Sequence, residues 1–135
     1  MDPVTAAATR RIRVVLADDT ADIRALLRLT LSLDGGFDVV AEAADGRQAI
    51  EMVALHHPDI LLLDLAMPVM GGLEAIPHVR RRAPDTKILV FSGNIAQVPL
   101  GRDLGADDYL DKGTPPEVLV ARLRRLLPSP RAAPD

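Results

Sequence analysis

Apolar residues along the chain follow two kinds of pattern, short β-branched runs and longer stripes with helical spacing. The short runs predict strands because turn residues bound them, and they lie at residues 12–17, 37–43, 59–63, 87–91 and 108–110. The stripes predict helices, at residues 21–33, after an Asp45 cap, at 72–82, at 95–104 and after a Thr114 cap. Strands therefore alternate with helices from one end of the chain to the other.

This alternation is typical of an α/β fold, in which helices cover both faces of a parallel sheet. The order of the elements predicts a doubly wound architecture that repeats a strand–helix unit five times, (βα)5. Ligands of such sheets bind beyond the carboxyl ends of the strands. The residues that follow each strand are therefore the first candidates for a functional role.

Prolines and glycines predict irregularity in two of the helices. Pro77 lies within the third helix and should kink it or delay its start. Pro99 and Gly101 lie within the fourth helix, where an interior proline and glycine cost about 3 and about 1 kcal/mol relative to alanine. We therefore expect a short or mobile segment at residues 95–104.

Length and composition indicate one domain. The chain has 135 residues, of which 48% are hydrophobic, enough for a core of its own. We expect a flexible N-terminal extension at residues 1–10 and a folded domain at residues 11–127. The three prolines in residues 128–135 predict a tail or the start of a linker.

Charge and residue usage exclude several functional classes. The net charge of −3 argues against a protein that binds nucleic acid over its whole surface. The absence of cysteine excludes disulfides and thiolate metal sites. No apolar run approaches the roughly 18 residues that a membrane span needs, so we expect a soluble, cytoplasmic protein without a membrane partner.

Polar side chains follow four of the five predicted strands. Asp18 and Asp19 follow the first strand, Asp64 the third, and Ser92 the fourth, while Lys112 follows the fifth. Each residue alone has an ordinary explanation as a cap, a turn residue or a solvated charge. Because parallel strands end at one edge of the sheet, all five side chains should lie together, which chance alone explains poorly.

Electrostatics predict the chemistry of this cluster. Three carboxylates about 5 Å apart repel one another by about 3 kcal/mol per pair at an effective dielectric constant near 20. Lys112 and a hard cation such as Mg²⁺ together balance the three negative charges. A neutralised cluster can receive a phosphoryl group, with Asp64 as the nucleophile and Lys112 and Ser92 contacting the phosphoryl oxygens.

The sequence segments around these five residues resemble those of a known family. The segments are VVLADDTADIRALL, DILLLDLAMPVMGGLEAI, ILVFSG and GADDYLDKGTPPEVL. The stretches contain, in order, an acidic pair, D-x-x-M-P-x-M-x-G, a serine and Y-L-x-K, and they span about residues 12–127. The chain thus resembles the receiver domain of a two-component response regulator. Its K-G-T-P-P-E segment is similar to the NarL/FixJ (LuxR-type) class.

The resemblance implies a flavodoxin-like fold with strand order 2-1-3-4-5 and a phosphorylated signalling protein rather than an enzyme. It makes Asp64 the phosphoacceptor, which takes its phosphoryl group from the histidine of a sensor kinase. It implies a Mg²⁺ site in which Asp19, Asp64 and the backbone carbonyl of Ala66 bind the ion directly. Asp18 would hold the ion through water.

The resemblance also implies a switch. Lys112 would pair with the acyl phosphate, and Ser92 would move to bond a phosphoryl oxygen. Tyr109 would then swing inward as the switch aromatic and change the face formed by the fourth helix, fifth strand and fifth helix. Met67 and Pro68 belong to the active-site loop that follows the phosphoacceptor.

Partners and alternatives follow from the same resemblance. The expected partners are a sensor histidine kinase, a second copy of the chain in a homodimer, and DNA only through a C-terminal domain that this sequence lacks. A stand-alone receiver, or a pseudo-receiver that only binds other proteins, stays an alternative. A phosphohydrolase with an Asp nucleophile is disfavoured, because the second catalytic Asp of such enzymes is replaced by Ala66.

Overall fold

The computed structural model describes residues 10–93 and 95–127, so the predicted extension up to residue 9 and the predicted tail at 128–135 lie outside the described residues. Strands and helices alternate as expected. The strands are β1 (Ile12–Ala17), β2 (Phe37–Ala43), β3 (Ile60–Leu63), β4 (Lys87–Ser92) and β5 (Asp108–Asp111). The helices are α1 (Ala21–Asp34), α2 (Gly46–His56), α3 (Gly72–Arg82), α4 (Val98–Leu104) and α5 (Pro116–Arg125).

All neighbouring strands pair in parallel, in the order β2-β1-β3-β4-β5. This order confirms the predicted flavodoxin-like topology. The register aligns Ala17 at the end of β1 with Leu63 at the end of β3, and Leu63 with Val90 of β4. The residues that follow β1 and β3 are therefore neighbours at one edge of the sheet.

Two apolar clusters hold the helices against the two faces of the sheet. Because side chains alternate along a strand, Val15 and Leu61 face the cluster that includes α2 and α3. Leu16 and Leu62 face the opposite cluster, which includes α1 and α5. The central strand β3 is buried along its whole length, as expected for a strand covered on both faces.

Two helix starts test the predicted caps. The Asp45 side chain accepts a hydrogen bond from the Gln48 backbone N–H at 2.8 Å, so the predicted cap of α2 is confirmed. The Thr114 cap is wrong, because α5 begins at Pro116 and Pro115 precedes it without a side-chain cap bond. A residue before proline is kept out of the helical region, so Pro115 stays extended, with a ψ of 146°.

The predicted irregular segment is short. A 3-10 turn at Ile95–Gln97 leads into α4, which has seven residues. Pro99 lies in the first turn of α4, where its missing N–H costs no hydrogen bond. Likewise, α3 begins at Gly72 although Pro77 lies inside it, so the proline does not delay the start of that helix.

Candidate functional site

Two buried aspartates follow the central strands of the sheet. The Asp64 backbone N–H donates to the Ala17 carbonyl at 2.9 Å, and the Asp18 N–H donates to the Ala43 carbonyl at 3.0 Å. These bonds continue the sheet by one residue and hold both aspartates at its carboxyl edge. Asp18 is 2% exposed and Asp64 is 4% exposed, so both carboxylates are largely removed from water.

Asp19 completes a group of three carboxylates. Asp18, Asp19 and Asp64 each offer an oxygen, and these oxygens all lie within 4.8 Å of one another. Asp19 is exposed, so the group is open to solvent on one side. An all-oxygen donor set of this charge fits a hard divalent cation, and these residues can hold a metal.

Lys112 faces the same group from the loop after β5. Its Nζ lies 2.8 Å from Asp18 Oδ2 and 3.1 Å from Asp64 Oδ2. Partial burial acts to lower the pKa of Lys112, but its hydrogen bonds to Asp18 and Asp64 and their charges outweigh burial and raise the pKa. The ammonium group therefore keeps its charge at neutral pH and balances one of the three carboxylates.

The surroundings of Asp64 disfavour its negative charge. Burial raises its pKa; the hydrogen bond and charge of Lys112 lower it, and the charge of Asp18 raises it further. The net result is a pKa above the ordinary value of 3.8. A carboxylate that has lost much of its water shell is a better nucleophile and gains more from a nearby cation than a solvated one.

Ser92 and Tyr109 lie on the β4–β5 side of the site. Ser92 ends β4 and is 1% exposed, and its carbonyl accepts the Lys112 backbone N–H at 3.3 Å. Tyr109 pairs with Val90 in the sheet. Its hydroxyl oxygen is buried, and within the described part of the chain no group hydrogen-bonds to it. The ring lines a cavity of about 160 Å³ together with Val98 and Arg102 of α4.

The loop after β3 contains Met67 and Pro68. The Pro68 carbonyl accepts the Met70 N–H at 2.6 Å, and the Met70 carbonyl accepts the Gly46 N–H at 2.7 Å, which ties the loop to the start of α2. Val69 is 81% exposed and adopts a positive φ of 65°. This conformation is unusual for a β-branched residue and marks local strain.

The ends of this loop are fixed by close backbone contacts. The Ala66 N–H donates to Asp64 Oδ1 at 3.3 Å. The Gly72 N–H donates to the Leu65 carbonyl at 2.9 Å, and a Cβ at Gly72 would lie 2.3 Å from the Asp64 carbonyl oxygen. Only glycine permits this approach, so α3 begins directly against the backbone of Asp64.

Sequence reasoning missed one charged side chain beside the site. Arg24 of α1 donates from Nη1 to the Asp18 carbonyl at 2.5 Å and from Nε to Glu42 Oε1 at 2.9 Å. Glu42 is aligned with Leu16 in the β1–β2 register, one residue before the end of each strand. The available signal was an acidic residue near the end of β2 together with an arginine in the first turns of α1.

The fold and this site define a class of protein. The family model described as "Response regulator receiver domain" matches residues 14–124. The chain therefore belongs to the response regulator receiver family, and as such it is a signalling domain rather than a conventional enzyme. No helix among the described residues is long and apolar enough to cross a membrane.

Individual relatives agree with this assignment. The response regulator MprA of Mycobacterium leprae is 41% identical over 126 residues, which cover 92% of this chain and 54% of that protein. MprA of Mycolicibacterium vanbaalenii is 39% identical over 126 residues, which cover 92% and 53%. The chain thus spans about half the length of the curated relatives it matches.

Solved structures of receivers have the same fold. The signal receiver domain of NarL from Mycobacterium tuberculosis superposes with a TM-score of 0.80 at 35% identity, covering 87% of this chain and 97% of that one. A LuxR-family response regulator from Aurantimonas sp. SI85-9A1 gives a TM-score of 0.81 at 32% identity, covering 86% and 84%. These neighbours agree with the predicted resemblance to the NarL/FixJ class.

Proposed function

We propose that this receiver takes a phosphoryl group from the histidine of a sensor kinase onto Asp64. The observation that carries the proposal is the arrangement around Asp64, a buried carboxylate that contacts an ammonium at 3.1 Å and lies within 4.8 Å of two other carboxylates. Such a group is poorly stabilised by itself. A bound cation would offset the repulsion among the three carboxylates, and the cation and Lys112 would together stabilise the negative charge of a phosphoryl group on Asp64.

The transfer step exchanges one bond for another. A carboxylate oxygen of Asp64 attacks the phosphorus of the phosphohistidine, and an O–P bond forms as the N–P bond breaks. The imidazole nitrogen leaves with the electron pair of that bond. Lys112 pairs with one oxygen of the transferred group, and the Ser92 hydroxyl donates to another. The domain catalyses at most its own phosphorylation and dephosphorylation.

The three carboxylates fit Mg²⁺ because their oxygens are hard ligands and their charge exceeds what Lys112 balances. Asp19, Asp64 and the Ala66 backbone carbonyl are the proposed direct ligands, and Asp18 acts through water. When bound, the ion supplies positive charge to the phosphoryl oxygens.

Phosphorylation then switches a surface. The phosphoryl group adds a charge of about −1.5 to −2 and three acceptor oxygens, which draw Ser92 and Lys112 inward. Tyr109 responds because it lines the cavity between α4 and β5 and because its hydroxyl is buried without a hydrogen-bond partner among the described residues. The face formed by α4, β5 and α5 changes and controls a partner, either a second copy of the chain or a DNA-binding domain attached beyond it.

The remaining parts of the proposal concern the whole protein. The domain comprises residues 11–127, flanked by an N-terminal extension at 1–10 and a Pro-rich tail or linker at 128–135. Because the curated relatives are about twice as long as this chain, we propose an output domain for transcription regulation. A cytoplasmic location is a separate part of the proposal. A stand-alone receiver or a pseudo-receiver without phosphotransfer is the alternative.

Intact-mass spectrometry after incubation with acetyl phosphate tests the proposal. The wild-type chain should gain the mass of one phosphoryl group with Mg²⁺ and none with EDTA. Asp64→Asn should gain none under either condition. The matched control is Asp85→Asn, an exposed carboxylate just before β4 at the opposite edge of the sheet, which should label like the wild type.

Two results would contradict the proposal that Asp64 accepts a phosphoryl group. Labelling of Asp64→Asn equal to that of the wild type would move the acceptor elsewhere. A wild-type chain that binds Mg²⁺ and still takes no phosphoryl group from acetyl phosphate or a phosphorylated kinase domain would favour the pseudo-receiver.

A further inference from the structure

Arg24 connects the acidic pair to the neighbouring strand. Its guanidinium donates to the Asp18 carbonyl at 2.5 Å and to the Glu42 carboxylate at 2.9 Å. The Arg24 side chain is 18% exposed and that of Glu42 is 29% exposed. The pair is therefore mostly shielded from solvent, which strengthens both charge-assisted hydrogen bonds.

The carbonyl that Arg24 binds belongs to the peptide bond between Asp18 and Asp19. A peptide unit is planar, so holding its oxygen also fixes the orientation of the Asp19 backbone. The other side of Asp18 is held by the sheet, through its N–H bond to Ala43. Its carboxylate is held through Oδ1, which accepts the Thr20 N–H at 2.9 Å. The guanidinium supplies the contact on the Asp19 side.

Charge alone does not explain this arrangement. Glu42 pairs with both Arg24 and Arg28, and Arg24 contacts the backbone carbonyl of Asp18 rather than a carboxylate of the site. The planar fork of arginine can instead reach a carbonyl and a carboxylate at fixed angles, and Glu42 is anchored in β2. Arg24 therefore connects β2 to the loop that follows β1 and can hold that loop in a fixed position.

We propose that Arg24, held by Glu42, is a positioning residue for the divalent cation site. It keeps the peptide between Asp18 and Asp19 in the orientation that lets both carboxylates face Asp64. This inference rests on the proposed Mg²⁺-dependent function. It adds two residues, Arg24 and Glu42, that do not themselves contact the ion.

Calorimetric titration of the full chain with Mg²⁺ tests the inference. Arg24→Ala should bind Mg²⁺ about tenfold more weakly than the wild type, the usual loss when a group that orients a metal ligand is removed. The matched control is Arg28→Ala, because Arg28 also binds Glu42 from α1 and, within residues 10–93 and 95–127, makes no hydrogen bond or ion pair to the three aspartates or Lys112. Arg28→Ala should bind Mg²⁺ like the wild type.

A conservative variant separates geometry from charge. Arg24→Lys keeps the positive charge and most of the stem but loses the fork, so it should stay impaired in Mg²⁺ binding. It also carries the test should Arg24→Ala fail to fold. Urea unfolding in EDTA is measured beside each titration, because a merely structural role would lower stability and leave the affinity of the folded protein unchanged.

The outcomes are distinguishable. Arg24 variants that bind Mg²⁺ as tightly as Arg28→Ala, or full affinity in Arg24→Lys, would overturn the positioning role while the proposed function stands. A wild-type chain that binds no Mg²⁺ would overturn the proposed function as well. Weakened binding in both Arg24 variants, with Arg28→Ala unchanged, supports the inference.

Discussion

Replacing Asp64 by asparagine removes a buried negative charge and keeps the shape of the side chain. In the absence of Mg²⁺, this charge destabilises the folded state. Burial and the charge of Asp18 together raise the pKa of Asp64, and they outweigh the opposing effect of Lys112. We therefore expect Asp64→Asn to be more stable than the wild type in EDTA at neutral pH. The proposed acceptor would then be a residue kept for function at a cost in stability.

The contacts of Asp64 set the magnitude. At an effective dielectric constant of 20, the 3.1 Å contact with Lys112 is worth about 5 kcal/mol. Repulsion from Asp18, at no more than 4.8 Å, costs at least about 3.5 kcal/mol. Burying the carboxylate costs several kcal/mol more, which exceeds the small remaining attraction. We expect a net gain of about 1 to 2 kcal/mol in the variant.

Urea unfolding followed by far-ultraviolet circular dichroism measures this difference, and its pH dependence tests the cause. Because the folded pKa of Asp64 is raised, the folded state holds the proton more tightly than the unfolded state. The contribution of Asp64 to stability is therefore full below its unfolded pKa and is lost as the pH rises through the folded pKa. The advantage of Asp64→Asn should grow across that window and then stay constant.

Asp85→Asn serves as the control, because it removes an exposed carboxylate at the opposite edge of the sheet and should change stability little. Saturating Mg²⁺ should stabilise the wild type more than Asp64→Asn, since a ligand stabilises the state that binds it. A variant that is clearly less stable than the wild type in EDTA, or a difference that does not change with pH, would refute the electrostatic reasoning.

Four further predictions concern stability and use the same urea assay in EDTA. Lys112→Met leaves the buried carboxylates without their ammonium, so it should lower the free energy of unfolding by about 3 kcal/mol. Acidic pH should restore part of that loss because protonation removes the charge, and a loss independent of pH would contradict this account. Gly101→Ala should raise stability by about 1 kcal/mol, because its new methyl would meet side chains at ordinary distances of 3.7–3.9 Å. Gly72→Ala should lower stability by about 1 to 3 kcal/mol, because its methyl would lie 2.3 Å from the Asp64 carbonyl oxygen. If Gly101→Ala and Gly72→Ala changed stability equally, these contacts would not explain the effect of either substitution. Val69→Asn should raise stability by about 1 kcal/mol, since asparagine tolerates a positive φ better than valine, and no gain would mean that the loop is not strained there.

The strand ends could be predicted from the sequence because a parallel sheet leaves few choices. Once β1 and β3 are identified, their carboxyl ends must lie at one edge, and Asp18 and Asp64 follow directly. Lys112 requires only that β5 be parallel to the other strands, and its Nζ indeed contacts both aspartates. Order along the chain was therefore sufficient to predict these three side chains together.

Features that depend on exact register could not be predicted in this way. The Arg24–Glu42 pair requires a helix phase and a strand register that residue patterns leave open. The capping pattern at Thr114 predicts a start of α5 one residue too early, because Pro116 keeps Pro115 extended and the helix begins at Pro116. In α4, Pro99 lies in the first turn and is compatible with the start of the helix there, which a helical pattern over residues 95–104 does not reveal.

Site-mapped mass spectrometry tests the central claim most directly, that a cation and an ammonium compensate the acidic cluster and make Asp64 the acceptor. Peptides of the wild-type chain are compared after incubation with a phosphodonor in Mg²⁺ and in EDTA. The account predicts one phosphoryl group, on the peptide that contains Asp64, formed only with Mg²⁺. Phosphorylation of any other residue, or of Asp64 to the same extent in EDTA, would contradict it.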